Sequence, residues 1–112
     1  MRPILPSARE KKRYVVFEII SEEPVENIAS FYDALNKKAK EWFGELYAAK
    51  LRLYLFVEKW DKQRGIIKVN RKFTDMLKAL FCLITELENK KVIIKSIAVS
   101  GTLKQASSIG GF

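Results

Sequence analysis

Histidine is absent from this 112-residue chain, and cysteine occurs once, at Cys82. No disulfide can therefore close within the chain. Zinc sites built from Cys and His, Cys–His nucleophile pairs and histidine acid–base chemistry are excluded together. No apolar run reaches the roughly 18 residues that a membrane-spanning helix needs. The opening MRPILPSAREKKR lacks the apolar segment of a signal peptide, so a cytoplasmic protein is expected. Also missing are a Gly-rich phosphate loop, a nucleophile elbow and a paired acidic metal motif. No catalytic residue, metal site or cofactor is expected in this chain.

What is present is hydrophobic and basic. Apolar residues make up 48 % of the sequence, enough to build a core in one domain of this length. Lys and Arg outnumber Asp and Glu by 21 to 13, a net charge of +8. That balance favours a polyanionic partner, although a basic solvated surface also accounts for it.

Residues 1–12 read as a basic arm, since Pro3 and Pro6 oppose regular pairing and Arg9, Lys11 and Lys12 run into Arg13. Such an arm is either solvated or laid on phosphate, where counterion release would favour contact. Residues 13–107 read as one domain and 108–112 as a tail. Arg13 to Ile20 is β-branched and aromatic on both faces, as in a central strand. Ser21, Glu22, Glu23 and Pro24 suit a helix start. The helical period then places Val25, Ile28, Phe31, Tyr32, Leu35, Ala39, Trp42 and Phe43 on one stripe, with Gly44 ending or bending the helix. Lys50 to Trp60 alternates as a second strand, with Leu51, Leu53, Leu55 and Val57 on its core face. Asp61-Lys62-Gln63 turns the chain into a third strand, Ile66 to Asn70. Phe73 to Glu88 returns to the helical period, and Val92 to Val99 is a fourth strand. Leu103 to Ser107 has room for one or two loose helical turns. The order β-α-β-β-α-β predicts an α+β two-layer sandwich, ferredoxin-like or RNA-recognition-motif-like, with a four-stranded antiparallel sheet.

Glu18 and Glu58 are two carboxylates on strands, but salt-bridged surface positions explain them better than acid–base work. Cys82, in an apolar helical run, is expected to be buried and inert. Six basic residues, Lys59, Lys62, Arg64, Lys68, Arg71 and Lys72, stand against one acid, Asp61, between Lys59 and Lys72. Arg71 and Lys72 fall between a strand and a helix, where backbone N–H groups also point outward. The candidate RNA-contacting set is Lys11, Lys12, Arg13, Arg64, Arg71 and Lys72, with a solvated basic loop as the alternative. The segment Arg64-Gly65-Ile66-Ile67-Lys68 opens like the RNA-binding strand of RNA recognition motifs. It carries Ile66 and Lys68 where that motif has stacking aromatics, so base-by-base reading on the sheet is not expected. Val16, Glu18, Tyr54, Phe56 and Ile66 are instead assigned to a protein partner on the open sheet face.

RYVVFEI, FGELYAAKLRLYLF, RGIIKVNRKFTDMLKAL and VIIKSIAVSGTLK together resemble archaeal ribonuclease P protein component 2, of the Pop-five family. The resemblance runs from about Arg13 to about Lys104. It implies an RNA-recognition-motif-like fold and membership of the ribonucleoprotein that removes 5′ leaders from precursor tRNA. It implies catalysis by the RNA subunit with magnesium, and no active site in this chain. The implied partners are the ribonuclease P RNA and ribonuclease P protein component 3, a TIM-barrel-like subunit, with precursor tRNA met indirectly and a dimer of heterodimers. Two other readings stand beside it. One is an interaction or regulatory module on the same scaffold without RNA. The other is an acylphosphatase-like hydrolase, whose phosphate-cradling loop is missing here.

Overall fold

The computed structural model describes residues 11–111. The β-branched and aromatic run forms β1, Lys12–Ser21, the middle strand of a five-stranded antiparallel sheet. The others are β2 (Tyr54–Leu55), β3 (Arg64–Asn70), β4 (Glu86–Leu87) and β5 (Lys90–Ser100), in the spatial order β2-β3-β1-β5-β4. Without the short edge strand β4, this is the order expected of a split βαβ sheet. The helices among the described residues are α1 (Ile28–Leu51), α2 (Thr74–Leu83) and α3 (Leu103–Gly110).

The period-2 alternation of β1 sends Val15, Phe17 and Ile19 into the main core with residues of α1 and α2. The Phe17 ring stacks on Phe31 with centroids 4.7 Å apart and meets Phe81 at 5.9 Å. Each fully buried ring of this size contributes about 1.5–3 kcal/mol. The strand β3 starts before Ile66, and Gly65 lies within it, opposite Phe17. A Cβ there would stand 2.8 Å from Phe17 Cζ, so glycine is required for close approach rather than for a turn.

Several expected elements take other shapes. Val25 is buried but lies ahead of the helix, and α1 starts after Asn27, whose Oδ1 accepts from the Ala29 N–H at 3.0 Å. Ser21 ends β1 rather than capping α1. Gly44 bends α1, and Glu45 to Leu51, rich in strong helix formers, carry it onward. The strand expected from Lys50 to Trp60 therefore shrinks to Tyr54–Leu55, followed by a 3₁₀ turn over Val57–Lys59. Leu51 and Leu55 are buried as expected, but Val57 is exposed. The second helix ends at Leu83, before the β-branched pair Ile84-Thr85. Ile84 and Leu87 are still buried, but Leu87 sits in β4, which hairpins into β5 through Glu88 and Asn89 at positive φ. Cys82 is exposed, not buried, because it faces away from Leu77, Leu80 and Phe81 on α2.

The largest departure is on the sheet face opposite α1 and α2. α3 runs to Gly110, past Ser107, and lies across β1, β3 and β5. Thr102 caps it, with Oγ1 accepting from the Gln105 N–H at 3.2 Å. Val16, Ile66 and Ala106 make a second small core there, with no exposed surface on any of the three. Val16 and Ile66, expected on an open partner face, are therefore covered by the chain itself.

Candidate nucleic-acid interface

Antiparallel pairing of β1 with β3 sets Lys12 opposite Asn70. One residue further, the Arg71 N–H donates to the Lys11 carbonyl at 2.9 Å. Two basic pairs far apart in sequence, Lys11-Lys12 and Arg71-Lys72, thus emerge side by side at one end of the sheet. All four are exposed. Asn70, 5 % exposed, shapes the turn, because its Oδ1 accepts from the Lys72 N–H at 3.0 Å. Thr74 Oγ1 donates to the Arg71 carbonyl at 3.1 Å and ties the 3₁₀ turn Arg71–Phe73 to the start of α2.

The second half of α1 adds to this end. Gly44 adopts φ 82° and ψ 162°, a conformation that favours glycine and redirects the helix after it. The redirected segment ends at Arg52, held left-handed at φ 51° and ψ 50°, its N–H bonded to the Ala49 carbonyl. Lys50 and Arg52 then share a cleft of about 520 Å³ with Lys72, walled by Leu46, Ala49 and Phe73. Among the described residues no carboxylate lines it. The sequence does not single out Lys50 and Arg52, because the Leu51-Leu53-Leu55 alternation reads as a strand. The run of helix formers after Gly44 is the signal that could have placed them.

The remaining candidates are dispersed. Arg13 is half-buried beside this end, and its guanidinium donates to the Lys12 carbonyl at 3.0 Å. Arg64 is at the opposite end of β3 and is ion-paired with Glu18 at 3.6 Å. Tyr54 is half-exposed on the edge strand, edge-on to Phe56 at 4.8 Å, with Lys68 Nζ 5.2 Å from its centroid. Of the partner set, Glu18, Tyr54 and Phe56 keep exposed surface while Val16 and Ile66 have none. Beyond α3 the same sheet face shows Ile20 and its β5 neighbour Ile93, both exposed.

Glu88 is the one carboxylate held in a marked environment among the described residues. It accepts from the Asn27 N–H at 2.8 Å and the Glu26 N–H at 3.1 Å, with Lys90 Nζ at 3.4 Å. The two backbone donors, with Lys90 in support, hold its pKa below the ordinary 4.5. It anchors the β4–β5 hairpin to the entry of α1 and lies away from the basic end. Among the described residues no group of His, Cys, Asp or Glu could hold a metal ion. Nor is any helix there long and apolar enough to cross a membrane.

Fold and site together define an α+β protein of split βαβ topology whose basic end gathers cations from β1, α1 and the β3–α2 turn. The profile of the Rpp14/Pop5 family matches residues 13–109, and the chain belongs to that family. It is 37 % identical to ribonuclease P protein component 2 of Archaeoglobus fulgidus over 106 residues, covering 94 % of this chain and 93 % of that protein. It is 31 % identical to the protein of the same name from Methanocaldococcus jannaschii, over 95 % of this chain and 77 % of that one. A chain of the cryo-electron-microscopy structure of yeast ribonuclease MRP superposes with a TM-score of 0.67 at 14 % identity, over 84 % of this chain and 76 % of that one. That likeness speaks for the fold.

Proposed function

We propose that this chain is a protein subunit of ribonuclease P, the ribonucleoprotein that removes 5′ leaders from precursor tRNA. The observation that carries the reading beyond family membership is the convergence of Lys11, Lys12, Lys50, Arg52, Arg71 and Lys72 at one end, beside a cleft that no carboxylate lines among the described residues. Cations so gathered neutralise phosphates where RNA helices crowd. That lowers the magnesium needed to hold the catalytic RNA in its active fold. The chain supplies no catalytic group of its own in this scheme; magnesium serves the RNA. It works in the cytoplasm beside a TIM-barrel-like protein subunit, ribonuclease P protein component 3, in a dimer of heterodimers. Exposed apolar surface at Tyr54 and Phe56 supports a protein partner on the β2 edge.

The test is cleavage of precursor tRNA by ribonuclease P RNA at limiting magnesium, with and without this chain and its partner subunit. Addition of the pair should raise cleavage and lower the magnesium requirement. Unchanged cleavage and an unchanged magnesium optimum would refute the reading. A tight protein complex that carries no RNA would favour the interaction-module alternative.

A further inference from the structure

The cleft between the bent end of α1 and the β3–α2 turn has more than charge. Its floor and walls are apolar and partly aromatic, with Leu46, Ala49 and the half-buried Phe73. Leu46 is 79 % exposed and Tyr47, 51 % exposed, stands edge-on to Phe73 at 6.4 Å. A face that only neutralises backbone phosphates needs cations on a polar surface, not exposed Leu and aromatic side chains. The same cleft has Lys50, Arg52 and Lys72 on its rim. Its volume of about 520 Å³ lies within the range of pockets that enclose small ligands. Arg52 lines the cleft from a left-handed cap where glycine is the usual residue.

We propose that this cleft takes a single unpaired nucleotide of the bound RNA. The base leaves its helix and packs against Phe73 and Leu46. Its own phosphate and the flanking ones meet Lys50, Arg52 and Lys72. Apolar and aromatic walls hold any base by its flat face, so the site reads the presence of an extruded nucleotide more than its identity. The inference rests on the RNA-binding reading above, and it differs from that reading in requiring an unstacked base.

Two RNA hairpins of one stem sequence test it, one fully paired and one with a single unpaired uridine, titrated against the full chain at fixed salt. The unpaired nucleotide should tighten binding about tenfold, the scale of one base stacked on a protein wall. Leu46→Ser, at an exposed position that leaves the fold intact, and Phe73→Leu should both shrink that preference while leaving the paired hairpin's affinity unchanged. Equal affinity of the wild-type chain for the two hairpins would overturn the nucleotide site and leave phosphate binding standing. Failure to bind either hairpin would overturn both.

Discussion

Replacing Arg71 and Lys72 together by Ala should change how RNA binding responds to salt, and by a calculable amount. Both side chains are exposed on the 3₁₀ turn after β3, and the turn is held by Asn70 and Thr74 rather than by them. Stability should therefore stay within about 0.5 kcal/mol of wild type. Each phosphate contact contributes about 0.7–0.9 to the slope of log K against log salt, so losing two flattens it by about 1.4–1.8. Between 50 and 200 mM salt, the wild-type chain should then lose roughly nine times more affinity than the double variant. Arg64→Ala is the matched control. It removes a cation from the same sequence stretch, but one paired with Glu18 and set about 20 Å away along β3. Its slope should equal that of wild type. The assay is filter binding or fluorescence anisotropy with ribonuclease P RNA across a salt series. An unchanged slope in the double variant, or an equal flattening in Arg64→Ala, would refute the placement of the RNA-facing end.

Two further outcomes probe the architecture. Ile66→Ala should cost about 2–4 kcal/mol in urea unfolding, because α3 buries this side chain completely; a cost near zero would mean that the face is open. Glu88→Gln tests the α1 anchor through pH. Since the folded-state pKa of Glu88 is lowered, its contribution is complete above the ordinary value of 4.5 and is lost as pH falls through the lowered one. The stability gap between wild type and variant should therefore be widest near neutrality and close in acid, and a gap constant with pH would remove Glu88 from that role.

Much of the fold is legible in the sequence because local chemistry and tertiary demand agree. β1 is β-branched on both faces and is the central strand. Of the predicted stripe, Val25, Ile28, Phe31, Leu35 and Ala39 are buried and Tyr32 and Phe43 pack partly against the core, whereas Trp42, next to the bend, is exposed. Disagreement arises where one pattern fits two structures. Leu51, Leu53 and Leu55 alternate like a strand, yet Leu51 is also the last residue of the helical segment that resumes after the kink at Gly44. Ile84 and Leu87 sit at helical spacing from Leu80, yet they reach the core from a coil and a hairpin strand. The turn at Lys62-Gln63 falls where the sequence places it, whereas the Glu88-Asn89 turn lies at the end of a stretch that reads as helix; both use positive φ without glycine.

The sequence by itself determined the α+β class, the central strand, the +8 charge and the exclusion of Cys/His metal and disulfide chemistry. Its resemblance over most of the length pointed to the family. Periodicity and composition are local properties, and these features follow from them. Only the tertiary structure decided which cations stand together. Strand register brought Lys11 and Lys12 to Arg71 and Lys72, the bend at Gly44 added Lys50 and Arg52, and pairing with Glu18 at the other end of β3 set Arg64 apart. Tertiary structure also closed the sheet face at Val16 and Ile66, through the short amphipathic helix α3, whose own sequence does not say which surface it covers.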